Sequence, residues 1–397
     1  MELQIIGGGL GGLVAAVAAA ERGAAVRLYE AHDTLGGRAR TTPPPYVAHE
    51  GPHVFYSDGP TWAWLTRRGL TRPSAGVPTR ALAAFWFRRG GRRTRWPGRG
   101  FLQVVGTRAT APVEESFGDW ATRRWGPELA REAASASGVT NYHHDPASLS
   151  AAFVHSRLKR AFSFPAGASY VTGGWSEVIR RLAAAARERG VVIETGHRVE
   201  TLPTGGPVVV ATSLAAARRL LGDDTLRQPS GATTMIDLGV RAERGDAFVV
   251  SDLDAGGWLE RFSAPDPTLA PAGESLVQAQ VPMSPTESTA AALARVESLL
   301  DVGVPGWRDR VTWRRDGVAR ERTGAVDLPG RTWRDRPAVD RGDDVYLVGD
   351  QVAAPGLLSE VSFTSAMQAV DLAMSRSGSS RSGWATGPGS LSGAGTP

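Results

Sequence analysis

The chain opens on a short apolar run, "ELQII" at 2–6, of the kind that forms a strand buried on both faces. Glycines follow, then "LVAAVAAAERG", an alanine-rich helix closed by Gly23, and a second strand in "AAVRLYEA". A strand–helix–strand unit of about 30 residues is thereby predicted at the N-terminus. "PTWAWLTRRGL" predicts a short helix, and "ALAAFWFRRGGRRTRWPG" two strands about a glycine turn. Residues 112–160 carry helical spacing broken by loops. From 165 the pattern returns to a loop, a long amphipathic helix and the strand "VVIETG", with "GPVVVATSL" as a further buried strand. "TTMIDLGV" and "AFVVSDL" predict strands of a second sheet, and "TESTAAALARVESLLDV" a capped helix. "DDVYLVGD" is a last buried strand, followed by the helix "SEVSFTSAMQAVDLAM". Residues 376–397, rich in Ser and Gly, are expected to form a disordered tail.

Composition narrows what such a chain does. Its 397 residues exceed one ordinary domain, and 42% hydrophobic residues suffice for a large core. The absence of cysteine excludes disulfide scaffolds, thiolate metal sites, Cys nucleophiles, redox dithiols and a flavin tethered through sulfur. Of 45 basic residues only Lys159 is lysine, a bias that suits a GC-rich genome. A net charge of +5 is too thin for a nucleic-acid binder. The N-terminal apolar stretch is broken by glycines and lacks a basic leader, and no stretch approaches a membrane span. A soluble, cytoplasmic protein is expected.

The chemistry-bearing signal is Gly7, Gly9 and Gly12 in the pattern G-x-G-x-x-G, directly after a strand and opening a helix. Gly7 permits the turn, Gly9 admits a pyrophosphate, and Gly12 allows the helix to approach the strand. The helix N-terminus offers free N–H donors and a partial positive charge. Glu30 ends the second strand, 18 residues beyond Gly12, where an acid takes a ribose hydroxyl pair. No second such glycine motif follows a strand elsewhere, so a second dinucleotide site is not expected.

"EAHDTLGGRART" follows Glu30 at once. With its Gly36, Gly37 and Arg38 it resembles the second glycine motif of the flavin-containing amine oxidase and phytoene desaturase superfamily. "EGPHVFY" resembles the segment that this superfamily places beside the flavin ring, and "DDVYLVGDQVAAPGLLSEVSFTSAMQA" its closing FAD motif. The resemblance covers roughly residues 1–60, 165–215 and 340–375. It implies FAD as the cofactor, held by Gly7, Gly9, Gly11, Gly12, Glu30, Ala31, Gly37, Arg38, Gly51, Pro52, His53, Val199, Ala211, Gly349, Asp350, Glu360, Val361 and Ser362. Within this set it places Arg38 by the phosphates and the Val199 backbone by the adenine. Gly349 and Asp350 fall near the ribityl chain, and Val361 and Ser362 toward the pyrimidine edge. His53 and Glu360 are the candidates for acid–base or orienting roles.

The implied fold is α/β: a Rossmann-like FAD-binding domain with a parallel sheet, interleaved with an α+β substrate domain built on a mixed sheet. The first comprises 1–75, 165–213 and 336–375, and the second 76–164 and 214–335. The small β-meander usual in the superfamily is trimmed to "PTGG". Lys159 lies in the basic stretch "HSRLKRAF" and reads as a solvated helix face, so the lysine-held water of many amine oxidases is not expected. His143 and His144 read as a loop rather than a metal site. The expected activity is hydride transfer from a small apolar or amine-bearing substrate to flavin N5, with oxygen or a quinone as acceptor. A FAD-dependent isomerase and a non-catalytic flavin-binding protein remain as alternatives.

Overall fold

The structure, a computed structural model, describes residues 1–52, 54–162 and 167–382. The chain begins with β1 (Glu2–Ile6), α1 (Leu10–Ala20) and β2 (Ala25–Tyr29), then β3 (Phe55–Tyr56), α2 (Pro60–Arg67) and β4 (Ser74–Gly76). A short α3 (Thr79–Leu82) leads to β5 (Phe85–Arg89) and β6 (Arg92–Thr94), joined at Gly90 and Gly91. Both glycines have positive φ, 58° and 72°, which the tight hairpin requires. Four helices follow: α4 (Arg99–Gly106), α5 (Phe117–Trp125), α6 (Pro127–Asn141) and α7 (Ala151–Ala161).

β7 (Ala168–Val171), α8 (Gly174–Glu188), β8 (Val192–Glu194), β9 (Val208–Val210) and α9 (Leu214–Leu221) come next. The long β10 (Ser230–Arg241) is followed by β11 (Val249–Asp252), β12 (Trp258–Arg261), β13 (Glu274–Pro282), α10 (Thr289–Gly303) and β14 (Val311–Ala325). β15 (Val345–Leu347) and α11 (Ser359–Ser382) complete the described chain. Helix α11 thus runs past the expected tail boundary at 375, and Arg376 is tied to Asp340 at 2.7 Å. Residues 383–397 lie outside the described residues.

The anticipated two-sheet architecture is present. One sheet is wholly parallel, in the order β15-β9-β1-β2-β8. No strand intervenes between β8 and β9, as the short "PTGG" linker anticipates. The second sheet is mixed, in the order β14-β10-β13-β12-β11-β5-β6, with only β11 and β5 parallel. A third, small sheet, β3-β7-β4, lies at Phe55, Ser74 and Ala168.

Residue size explains the packing of α1. Nine of its residues are buried, all Gly, Ala, Val or Leu, and it packs between helices α8 and α11 and strands β1, β2 and β9. A helix apolar on every side belongs between layers rather than at a surface, and small side chains let three helices approach one sheet. A second core joins α4, α5, α6 and α7 through Phe101, Phe117, Trp120 and Leu158. A third packs α10 on the mixed sheet through Val296, Leu299 and Leu300. Aromatic side chains are spent on this packing: Phe87, Phe101 and Phe162 contact one another, and Trp86 is covered by Arg93 and Arg95. Trp96 is 73% exposed.

The small sheet is fastened to the large one by a buried acid. Glu260 on β12 accepts from Tyr170 Oη at 2.6 Å and from Trp258 Nε1 at 3.0 Å. Burial pushes its pKa from the ordinary 4.5 up to about 7. Between those two values the folded protein holds a proton that the unfolded chain has released. Stability from this group is therefore complete below 4.5 and is lost as the pH rises toward 7. Glu260→Gln cannot ionise, so its stability relative to the native chain should grow by on the order of 3 kcal/mol between about pH 5 and pH 8. Urea unfolding at both pH values measures this; a pH-independent difference would contradict it. A second expectation concerns α1. A Cβ on Gly12 would sit 1.9 Å from Gly7 O, a contact with rigid backbone. Gly12→Ala is expected to cost about 3 kcal/mol or more in the same assay.

Candidate functional site

The turn after β1 is built from backbone alone. Gly7 has φ 111°, and a Cβ there would meet Ala211 O at 2.4 Å. Ala211 in turn donates its N–H to Ile6 O at 2.8 Å, closing β9 onto β1. Gly9 is different: the only atom near a Cβ would be Gly36 O, 3.9 Å away, so the space before it is open. It is the N-cap of α1, with no side-chain cap and no acid in the first turn. The first N–H groups of the helix have no intrahelical acceptor, and no carboxylate neutralises the positive end of its dipole. That is a cradle for an anion.

The neighbouring loop completes the cradle. Gly36 N donates to Gly8 O at 2.8 Å, Gly9 and Gly36 form a parallel bridge, and a Cβ on Gly37 would lie 3.6 Å from Gly9 Cα. Glu30, buried at 7% exposure, accepts from Gly8 N at 2.8 Å through Oε2 and from His32 N at 2.9 Å through Oε1. Each oxygen accepts one hydrogen bond here, and a carboxylate oxygen has two lone pairs. Ala31 continues from it. The segment after β8 is laced to the same place, with His197 N on Glu30 O at 2.8 Å and Gly196 N on His32 O at 2.9 Å. Val199, two residues on, is half-buried against the core.

The two ends of the chain meet at this site. Arg38 Nη1 donates to Asp350 Oδ2 and to Arg322 O, both at 2.6 Å. Asp350 raises the arginine's pKa further. The Arg38 side chain is 43% accessible, so its guanidinium is held at Asp350 without being packed over. A Cβ on Gly11 would lie 2.7 Å from Val348 Cγ1 and 3.3 Å from Ser362 O, so this glycine admits the start of α11 against α1. Gly349 is held by Ser365 Oγ, which accepts from its N–H and donates to its carbonyl. Val361 and Ser362 are buried in the first turn of α11.

The segment at Gly51 and Pro52 is positioned from the mixed sheet. His49 O accepts from Gln278 Nε2 at 3.1 Å and Arg315 Nη2 at 2.6 Å, and both donors are also bound by Asp237. His49 Nε2 accepts from Trp175 N at the start of α8. Burial raises the Asp237 pKa, and Arg315 works against that rise. Gly51 is 3.9 Å, at its virtual Cβ, from Tyr142 Oη. Burial pushes the Tyr142 phenol above its ordinary value. His53 lies outside the described residues.

Glu360 is committed on both oxygens. Oε1 and Oε2 accept from Arg160 Nη2 and Nη1 at 2.9 and 3.1 Å, and Oε2 also accepts from Leu357 N at 3.0 Å. Arg160 bonds Asp58 Oδ1 at 2.8 Å and lies over the Tyr56 ring at 4.5 Å. A carboxylate so engaged orients the loop that enters α11. Arg160, Asp58 and Tyr56 were not candidates from sequence, although helical phase offers a signal. Arg157 and Arg160 are three residues apart on one face of α7, whereas Lys159 points elsewhere and is exposed, donating to Thr107 O at 3.3 Å. His143 bonds Asp145 O through Nδ1, and no group of three metal-capable side chains occurs among the described residues.

Residues 5–68 match the model of a family described as an NAD(P)-binding Rossmann-like domain. No curated protein matches the chain in sequence. Its structure is similar to an oxidoreductase from Methanosarcina mazei, with 18% identity and a TM-score of 0.74 over 94% of this chain and all of that one. It is also similar to cyclohexylamine oxidase from Brevibacterium oxydans, with 16% identity and a TM-score of 0.71 over 95% and 99% of the two chains. A third likeness is to reduced UDP-galactopyranose mutase, with 14% identity and a TM-score of 0.70 over 95% of each chain. The chain thus shares one fold, end to end, with an amine oxidase and with a mutase.

The Arg38–Asp350 contact is testable in the ligand-free protein. A double-mutant cycle with Arg38→Gln and Asp350→Asn should give a coupling of about 1 kcal/mol, reduced from a buried pair by the accessibility of Arg38. Strict additivity in denaturant unfolding would show that the two ends are not joined there.

Proposed function

We propose that this chain is a FAD-dependent oxidoreductase of the amine oxidase and phytoene desaturase type, acting on a small apolar or amine-bearing substrate. The observation that carries this reading is the convergence of three motifs. Two glycine loops form one anion cradle, and the closing motif reaches it through Arg38–Asp350 and through Gly11 against Ser362. A nicotinamide dinucleotide would use the first loop and Glu30 but has no need of the other two.

In this reading Gly7, Gly9, Gly12 and Gly37 admit the diphosphate to the N–H groups of α1, and Arg38 bears on the phosphates. Glu30 takes the ribose hydroxyls through its remaining lone pairs, with Ala31, Val199 and Ala211 around the adenosine. Gly349 and Asp350 hold the ribityl chain; Gly51 and Pro52 lie along the ring; Val361 and Ser362 face its pyrimidine edge. When bound, FAD supplies a two-electron acceptor at N5 for a hydride from a substrate C–H, with oxygen or a quinone taking the electrons onward. The N-terminus of α11 places a positive dipole end where negative charge gathers. Glu360, fixed by Arg160, holds the loop before that helix. The single lysine faces solvent, so no lysine orients a water. Residues 1–75, 165–213 and 336–375 form the FAD-binding part, and 76–164 and 214–335 the substrate part.

The fold shared with a mutase supports a second reading, in which FAD assists a rearrangement without net oxidation. No helix among the described residues is long and apolar enough to cross a membrane. The test begins with flavin. Purified protein should bind FAD stoichiometrically, and Glu30→Ala or Arg38→Ala should weaken retention by about tenfold or more. Normal flavin content in both variants would remove the proposed cofactor site. Anaerobic addition of candidate amines should then bleach the flavin. Turnover that occurs only with prereduced protein would favour the rearrangement. His53→Ala, compared at equal flavin content, reports whether that residue takes part.

A further inference from the structure

A cavity of about 290 Å³ opens between α7 and the segment 327–336, beside Gly356 and Leu357 at the approach to α11. Its wall carries four arginines, Arg157, Arg160, Arg331 and Arg336, and one acid, Asp327. Their partners distinguish them. Arg160 is spent on Glu360 and Asp58, and Arg331, at the rim, is 67% exposed and near Asp335. Arg336 is 6% exposed; its Nε and Nη2 grip Asp327 at 2.9 and 2.8 Å, and its Nη1 is shut off from solvent with no acceptor.

Arg157 is the exception. It is 5% exposed and lies over the Phe153 ring at 4.1 Å. Its one hydrogen bond among the described residues runs from Nη1 to Thr140 O at 3.0 Å, and no carboxylate is within ion-pair distance. Arg310, equally buried, has Asp246 at 2.7 Å. An uncompensated buried cation costs several kcal/mol. Burial, with Arg336 nearby, pulls the Arg157 pKa down to about 10 against the more distant attraction of Asp327, so the guanidinium remains charged near neutrality. One buried fork with unspent donors, that of Arg157, thus faces the cavity, beside a second, Arg336, that is spent on Asp327, and the missing component is negative. Planar forks suit the two oxygens of a carboxylate or the face of a phosphate. Phe153, Trp333 and Leu357 make the remaining wall apolar.

We propose that this cavity binds an oxoanion, a carboxylate or a phosphate, carried by the substrate, with the Arg157 guanidinium as its donor. The assignment to substrate rests on the FAD-dependent activity proposed above, and the site's place supports it. Leu357, whose N–H is held by Glu360, is both cavity wall and the approach to α11. The volume holds a small group with a short apolar body and is too small for a dinucleotide. The substrate is therefore one with an anionic end and a nearby oxidisable carbon, rather than a wholly apolar molecule or a simple amine.

The experiment uses the FAD-loaded protein, titrated calorimetrically with inorganic phosphate and, separately, with butyrate. Saturable binding of one of them is expected, and which one tells a phosphorylated substrate from a carboxylic acid. Arg157→Gln should weaken that binding by about tenfold or more, with Arg157→Lys between, because it keeps the charge and loses the fork. Flavin content should be unchanged. Arg157→Met, which removes an unpaired charge, should leave Tm unchanged or raise it; a purely structural arginine would lower it. The proposal is overturned if neither anion binds, or if Arg157→Gln binds like the native protein. It is overturned also if anion binding is present in the FAD-free chain and abolished by FAD, which would assign the arginines to the cofactor. Failure to take up FAD would be seen separately in the visible spectrum. Anion binding and its loss in Arg157→Gln would then still decide the cavity on the FAD-free chain.

Discussion

Everything at the candidate site depends on how closely backbone approaches backbone at the end of β1. Gly7 O stands where a Cβ of residue 12 would be, and Ala211 O where a Cβ of residue 7 would be. These two contacts set α1 directly against the strand turn and bring the end of β9 alongside. The sheet order β15-β9-β1-β2-β8 then does the rest. From β1 the chain proceeds to β2 on one side, while β9 lies on the other, so the connections leave β1 in opposite directions. An open crevice forms at such a switch point, outside the carboxyl ends of the strands. The unneutralised start of α1 faces it, and Gly36, Glu30 and Ala211 make its sides.

That part was legible because it is local. A strand, a glycine turn, a small-residue helix and an acid at fixed spacing write themselves into 30 consecutive positions. The closing motif was legible for the same reason. The contact between Arg38 and Asp350 crosses 312 positions, and no periodicity reports it; only the likeness of both motifs to one flavoprotein pattern brought them together. Lys159 faces solvent as the basic run suggested, but that reading obscured its neighbours. In a helix Arg157 and Arg160 share a face that Lys159 does not, and theirs is the inward one. The extent of α11 was misjudged from composition. Serine is only moderately unfavourable in a helix, and Arg376 gains a partner in Asp340 that the chain order does not reveal.

The mixed sheet reaches the crevice through a network that stability alone does not explain. Asp237 is buried, bound by Arg315 and Gln278, and all of this converges on one carbonyl, that of His49. Burying such a pair costs desolvation that the attraction scarcely repays. What the arrangement secures is position. The segment at Gly51 and Pro52 has no regular structure of its own, and its path is set by an amide donor from β13, a guanidinium from β14 and Trp175 N from α8. Two layers are thereby registered on three or four atoms.

The same reasoning separates two arginines on α7. Arg160 and Glu360 satisfy each other, and their rigidity is passed to the loop before α11 through Leu357 N. Arg157, one turn earlier, is as deeply placed and has no carboxylate within ion-pair distance among the described residues. Elsewhere the chain pairs its deeply buried guanidinium groups with acids, Arg310 with Asp246 and Arg336 with Asp327. A sequence that supplies those partners and omits this one departs from its own rule at a single cavity. Local rules are broken where function requires it, and the broken rule specifies the chemistry: a missing negative charge, of a size set by the cavity, beside the start of α11.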